Sequence, residues 1–141
     1  MRRFAEGVPL GDVRCCPTQF QSRVPGVDVR VHVVGAEIFA TRVVSEADDY
    51  RYATHEGLPR PQLDATDLPE DVADRCLLLA CRLELAVAGV DLRVTPDGEW
   101  CCFEVNPSPA FSYYESHTGQ PIATAVAALL SAAVTCAQER W

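Results

Sequence analysis

Three side chains with oxygen donors lie close together in the stretch AGVDLRVTPDGEWCCFEVNPSP, residues 88–109. Asp91 precedes a Pro-Asp-Gly turn signal, and Glu104 and Asn106 follow it. Because successive side chains of a strand point to opposite faces, Glu104 and Asn106 share one face. Carboxylates and an amide suit a hard divalent cation, and Mg²⁺ prefers one or two carboxylates completed by waters and substrate phosphates. The stretch therefore predicts a metal site built on two neighbouring strands.

The pairing of these two strands poses an electrostatic problem. If Asp97 and Gly98 form a two-residue turn, Asp91 lies directly opposite Glu104 at roughly 5 Å, where like charges destabilise a sheet. A bound cation would remove that penalty. Arg93 shares the face of Asp91 and offers an alternative, because it could neutralise either carboxylate without a metal. A loop longer by one residue would break the pairing.

The same register assigns the other side chains of the hairpin to faces. It places Trp100 and Cys102 on the polar face beside Glu104. The apolar face then takes three residues of each strand: Val90, Leu92 and Val94 on the first, and Cys101, Phe103 and Val105 on the second.

The pattern of the whole chain predicts an α+β domain with a largely antiparallel sheet and helices packed on one face. Valines alternate with polar residues in VDVRVHVVG, which predicts a strand, and EIFATRVVS predicts its hairpin partner. A further short strand is predicted in PTQFQSRVPG, residues 17–26. Residues 46–68 are predicted as a loop, 106–119 as an irregular Pro-rich turn, and 68–85 and 120–137 as helices.

Composition excludes several classes of protein. The 141 residues suit one domain or one lobe of a larger one, and the net charge of −8 argues against nucleic-acid binding, which depends on neutralising phosphates. The most apolar run, 122–137, is short for a membrane span, and no apolar segment of a signal peptide follows the N-terminal Met-Arg-Arg. The seven cysteines lack zinc-ligand spacing. These features predict a reduced, cytoplasmic protein that binds neither nucleic acid nor membrane.

The run FEVNPSPAF, preceded by GVDLR, resembles the end of an ATP-grasp domain, and most closely the RimK-like carboxylate–amine ligases. That neighbourhood includes ligases that macrocyclise ribosomal peptides through side-chain carboxylates. The resemblance extends from about residue 16 to residue 130. It implies an ATP-grasp C-terminal lobe over 17–138. Residues 1–16 show no clear period and are expected to form an irregular lead-in.

The resemblance implies roles for particular residues. Asp91, Glu104 and Asn106 would hold the Mg²⁺ ions, or Mn²⁺, that bridge the ATP phosphates. Arg30 matches a strand arginine that contacts phosphate or the acyl-phosphate intermediate, and is the implied catalytic residue. The segment that reads the adenine edge matches three residues, namely Gln19, Phe20 and Gln21. Gln19 stands where relatives commonly carry Glu, a small departure because the adenine contacts are mostly made by backbone.

The implied partners are ATP, a carboxylate substrate and an amine or hydroxyl acceptor, with a peptide as one candidate. The carboxylate attacks the γ-phosphate of ATP, and the acceptor then displaces phosphate from the acyl phosphate. Positioning and cations supply most of the catalysis in such phosphoryl transfer.

Three further groups of residues lie near these positions in the sequence. His32 shares the face of Arg30 and is interpreted as a solvated strand histidine, with substrate contact as the alternative. Residues 50–52, Tyr-Arg-Tyr, are interpreted as surface loop, with acceptor contact as the alternative. Tyr113, Tyr114 and Glu115 are expected to pack against or cap the last helix.

Parts of a complete ligase of this family have no counterpart in the sequence. All twelve basic residues are Arg, so the family's phosphate-gripping lysines are missing, and no glycine-rich loop is present. We therefore expect an incomplete ligase that associates with a missing N-terminal lobe or with itself. Two other hypotheses remain: an ATP-grasp remnant that binds a peptide or protein, and an acidic α+β domain with no nucleotide site.

Overall fold

The computed structural model describes residues 11, 15–17, 20–46, 50 and 57–138. Five strands form one sheet, with neighbouring strands in the order β3-β2-β1-β4-β5 and every neighbouring pair antiparallel. The strands are β1 (Val27–Val34), β2 (Glu37–Val44), β3 (Gln62–Thr66), β4 (Val87–Val94) and β5 (Trp100–Asn106). The helices are α1 (Glu70–Arg82), α2 (Ser112–Thr118) and α3 (Ile122–Gln138). The predicted α+β class and antiparallel sheet are confirmed.

The alternation along β1 separates two apolar cores. Val29, Val31 and Val33 face α1 and pack with residues of its buried side, which repeat every four positions as Val72, Cys76 and Ala80. The other face of the sheet carries a second core, which α2 and α3 cover. Its buried members are Val34, Phe39, Val43, Leu63, Tyr114, Ile122 and Ala125.

The predicted placement of the helices on one face of the sheet is therefore wrong. The pattern of β1 shows why: His32 is fully buried and Arg30 nearly so, although both are polar and lie opposite the valines. Alternation alone suggests that polar residues at these positions face solvent, whereas α2 and Tyr114 lie over them. β1 is thus buried on both faces.

Three other predictions of secondary structure are wrong. Residues 20–26 of the predicted first strand form no strand, whereas residues 62–66, predicted as loop, form β3 at the sheet edge. The Pro-rich turn contains α2, which ends at Gly119 in the left-handed conformation (φ 70°). A five-residue edge strand and a seven-residue helix carry too little periodicity to be recognised from their pattern alone.

The long predicted helices are confirmed with small shifts at their ends. Glu70 and Asp71 lie in the first turn of α1 and Arg82 in its last, as the helix dipole favours. Within the described part of the chain, no helix is long and apolar enough to cross a membrane.

Candidate metal and nucleotide site

The β4–β5 hairpin brings the two predicted carboxylates face to face. Asp91 is paired with Glu104, and Gly89 with Asn106, so both β5 side chains lie on the sheet face opposite α1. This part of the predicted register is confirmed.

The turn between β4 and β5 differs from the predicted two-residue turn. The connection is one residue longer than a two-residue turn: Thr95 pairs with Glu99 around Gly98, which has φ +84°. A β-bulge between Asp91 and Leu92 then compensates, because Leu92 pairs with Cys102 and leaves Phe103 as the extra residue.

The bulge decides which face each β5 side chain occupies. Trp100 and Cys102 lie on the α1 side, where they line one cleft with Val90 and Leu92, so their predicted polar-face position is wrong. The alternation then shifts by one residue, and Glu104 and Asn106 return to the polar face. Cys101 pairs with Arg93, which places it on the polar face as well. Phe103, also predicted to face the core, lies beneath the Arg93 guanidinium at 5.4 Å from ring centroid to Cζ.

Arg93 does not neutralise either predicted metal ligand. Its Nε and Nη2 donate to the two carboxylate oxygens of Asp28 at 2.7 and 2.8 Å, and its Nη1 donates to the Val24 carbonyl at 2.7 Å. The alternative prediction, that Arg93 neutralises Asp91 or Glu104 without a metal, is therefore wrong.

Arg30 provides part of the neutralisation instead. It lies opposite Asp91 on β1, and its Nη1 donates to Asp91 Oδ1 at 2.5 Å. Burial disfavours its charged form, but the hydrogen bond and charge of Asp91 outweigh that effect and raise the pKa of Arg30. Arg30 therefore remains a cation at the edge of the carboxylate pair.

The remaining donors fit a divalent cation. Glu104 is exposed and forms no ion pair with any residue that the structure describes, whereas only one oxygen of Asp91 is bonded to Arg30. The Asn106 side-chain oxygen accepts a hydrogen bond from the Ser108 backbone at 2.8 Å, which fixes its direction and leaves it a second lone pair. Across the described ranges, no group of three or more His, Cys, Asp or Glu residues could hold a metal. The site is thus of the sparse kind that Mg²⁺ shares with phosphates.

The chain closely surrounds the Arg30 guanidinium. A Cβ atom added to Gly89 would lie 2.6 Å from Arg30 Nη2 and 2.7 Å from Pro109 Cβ, so only glycine fits there. On another side the Tyr114 ring faces the guanidinium, with Cζ 5.6 Å from the ring centroid. An isolated glycine in a strand pattern often marks such a close approach, and this signal could have identified Gly89 from the sequence.

His32 lies beside this group and is not solvated, so its predicted exposure is wrong. It is completely buried, its ring meets Tyr114 edge-on at 5.0 Å, and its Nε2 donates to the Ala110 carbonyl at 3.3 Å. Burial lowers the pKa of His32 to about 4, and the nearby Arg30 charge acts in the same direction. His32 is therefore neutral near pH 7.

The structure describes only some of the other predicted site residues. Gln19 lies outside the described residues, whereas Phe20 and Gln21 are exposed on the chain that leads into β1. Tyr50 is half-buried rather than a surface residue, and its hydroxyl is 2.7 Å from that of Tyr114; its neighbours at 51 and 52 lie outside the described part. Glu115 accepts a hydrogen bond from the Ala123 backbone in the first turn of α3, which confirms the predicted capping role.

Comparison with known proteins identifies the family of the chain. The family model described as the RimK-like ATP-grasp domain matches residues 17–130. This chain belongs to that family. The resemblance inferred from FEVNPSPAF and GVDLR is thereby confirmed.

Members of the ATP-grasp family resemble the chain over most of its length. A probable alpha-L-glutamate ligase of Xylella fastidiosa (strain M12) is 35% identical over 106 residues, which are 74% of this chain and 34% of that protein. A ribosomal-peptide-type (RiPP-associated) ATP-grasp ligase from Chryseobacterium gregarium, in complex with ADP and a leader and core peptide, superposes with a TM-score of 0.74 at 26% identity. The match covers 86% of this chain and 38% of that one.

A further solved structure contains a metal. The ATP-grasp ligase PsnB, complexed with a phosphomimetic variant of a minimal precursor, Mg and ADP, superposes with a TM-score of 0.63 at 25% identity. The match covers 77% of this chain and 33% of PsnB. The chain thus spans about a third of the length of the relatives that it matches.

Proposed function

We propose that residues 17–138 form the metal- and ATP-binding lobe of an ATP-dependent carboxylate–amine or carboxylate–hydroxyl ligase. The observation that carries the proposal is the placement of Asp91 directly opposite Glu104 on one face of the sheet, with Asn106 beside them. Without a bound cation the opposed carboxylates destabilise the sheet, because Arg30 bonds only one oxygen of Asp91. Membership of the RimK-like family and the ADP in related structures support the same conclusion.

The three oxygen donors would hold Mg²⁺, with Mn²⁺ as an alternative. When bound, the cation would neutralise charge on the ATP phosphate oxygens. Glu104 presents the most accessible carboxylate, and Asp91 presents the oxygen that Arg30 leaves unoccupied. Asn106 directs its side-chain oxygen through the bond from Ser108.

Arg30 is the residue proposed to act on the reaction. A substrate carboxylate attacks the γ-phosphorus of ATP, the bond to the bridging oxygen of ADP breaks, and an amine or hydroxyl then displaces inorganic phosphate from the acyl phosphate. Negative charge accumulates on the phosphoryl oxygens during transfer. The Arg30 guanidinium, buried beside Asp91, would stabilise that charge, because the effective dielectric constant there is lower than in water.

The adenine edge would contact the backbone of residues 19–21, and the acceptor would be an amine or hydroxyl, with a peptide as one candidate. The proposal of a peptide is supported by the peptide-bound structure from Chryseobacterium gregarium.

A non-catalytic peptide- or protein-binding module is the second candidate. The observation that favours it is the complete absence of lysine from a chain whose relatives are about three times as long. This candidate predicts partner binding without ATP turnover.

Calorimetric titration with ADP, with and without Mg²⁺, tests the proposal on the wild type and on Glu104→Gln. We expect binding that requires Mg²⁺ and weakens on the order of 10- to 100-fold in the variant, since a metal ligand is lost. Glu99→Gln is the matched control, because Glu99 is an exposed carboxylate on the same hairpin but outside the site. Equal affinities for the two variants, or binding indifferent to Mg²⁺, would refute the proposed site.

A further inference from the structure

Tyr114 stands out among the side chains around the site because neither the ATP-binding residues nor the metal ligands include it. It is 8% exposed although it lies on the short helix α2, between exposed Tyr113 and half-buried Glu115. Its ring faces the Arg30 guanidinium, with Cζ 5.6 Å from the ring centroid. A cation over an aromatic face is attracted by the ring quadrupole, most strongly where water is excluded.

The contacts of Arg30 show what this ring does. One guanidinium nitrogen bonds Asp91, and the Gly89 backbone and Pro109 limit movement on another side. Arg30 Nε has no hydrogen-bond partner among the described residues, so hydrogen bonds alone do not determine the orientation of the guanidinium. The contact that remains to constrain that orientation is the Tyr114 ring, whose centroid lies 5.6 Å from Cζ.

Tyr114 is itself held by two other elements. Its hydroxyl is 2.7 Å from that of Tyr50, and burial, assisted by Tyr114, raises the pKa of Tyr50, so the Tyr50 hydroxyl stays protonated. The ring also meets His32 edge-on at 5.0 Å, and His32 donates to the Ala110 carbonyl. A residue before β3 and a residue of β1 thus both hold one aromatic ring.

We infer that Tyr114 is a positioning residue that holds the Arg30 guanidinium against Asp91, and that the Tyr50 hydroxyl fixes the orientation of the Tyr114 ring. By holding one Asp91 oxygen on Arg30, the arrangement directs the other oxygen of Asp91 toward the metal position. The inference rests on the proposed function for the roles of Asp91 and Arg30, whereas the packing that it describes exists without any ligand.

The first test needs no ligand. Side-chain ¹⁵N NMR of the 141-residue chain, with Arg30 assigned through Arg30→Lys, reports how fast the guanidinium rotates. We expect slow rotation in the wild type, with separate Nη signals, and merged signals in Tyr114→Leu. Tyr113→Leu is the matched control, since Tyr113 is a neighbouring but exposed tyrosine of the same helix. Identical Arg30 signals in the two leucine variants would overturn the inference.

The second test connects the packing to the site. Mg²⁺-dependent ADP affinity should fall about tenfold in Tyr114→Leu, the effect of losing a desolvated cation–π contact, and should not change in Tyr113→Leu. A merely structural role would lower the melting temperature and weaken ADP binding equally with and without Mg²⁺. If the wild type binds no Mg-ADP, the proposed function fails, and the NMR result alone decides this inference.

Milder variants keep the test valid if Tyr114→Leu does not fold. Tyr50→Phe and Tyr114→Phe each remove one hydroxyl and retain both rings. Because each variant breaks the same hydrogen bond, we expect the double variant to show no greater loss of Mg²⁺-dependent affinity than either single variant. Additive losses would show that the two hydroxyl groups act independently and would overturn the assigned role of Tyr50.

Discussion

At the scale of single residues, the burial of His32 makes the stability of the fold depend on pH. Its pKa is about 4 in the folded chain and 6.5 ordinarily, because burial disfavours the imidazolium. Between these values the unfolded chain binds a proton that the folded chain does not. The contribution of His32 to the unfolding free energy is therefore fully present above pH 6.5. It falls by about 3 kcal/mol as the pH decreases toward 4.

Urea unfolding at pH 7 and pH 4.5 measures that loss. His32→Gln keeps a donor for the Ala110 carbonyl but does not titrate, so it should show a markedly smaller difference between the two pH values. His117→Gln, at an exposed histidine of α2, should retain the wild-type difference. If all three proteins respond alike to pH, then His32 is not the source of the dependence.

At the scale of elements, Arg93 joins three parts of the fold. It lies on β4, bonds both oxygens of Asp28 on β1, and donates to the Val24 carbonyl in the chain that leads from the predicted adenine segment. The Arg93 and Asp28 side chains are 17% and 22% exposed. Arg93→Met removes both hydrogen bonds of this largely buried ion pair, and we expect a loss of about 3 kcal/mol in unfolding free energy.

Arg75→Met provides the comparison for Arg93→Met. The Arg75–Asp71 pair on α1 is 3.6 Å long with both side chains mostly exposed, so its loss should change stability by about 0.5 kcal/mol or less. Chemical denaturation of the two variants gives both values. Losses of equal size would mean that the β1–β4 ion pair contributes no more than a surface pair.

At the scale of the whole molecule, the site occupies one face of a sheet. About two thirds of the length of a related ligase has no counterpart in this chain. We expect the isolated chain to bind Mg-ADP but to release phosphate from ATP slowly or not at all. Joining it to the preceding part of an alpha-L-glutamate ligase should supply lysines and restore phosphate release, and Glu104→Gln in that fusion should abolish it. Binding without turnover in the fusion would favour the non-catalytic module.

Much of the site could be predicted because it depends on local periodicity. Residue type and strand alternation point to Asp91, Glu104 and Asn106, and the structure places them on one face. The prediction was correct for Glu104 through two compensating errors, since the longer turn and the bulge at Phe103 cancel. A single strand pattern does not reveal where an extra residue is accommodated, because that depends on pairing with its neighbour.

The sequence by itself determined the family, the strand residues that carry the oxygen donors, and the apolar face of β1, because these follow from a period of two along a short segment. Only the tertiary structure decided which charges pair and which polar groups are buried. Arg30 bonds Asp91 across 61 residues, Arg93 bonds Asp28 across 65, and His32 meets Ala110 across 78. Burial and ion pairing are set by what packs across the sheet, and no local pattern encodes that neighbour.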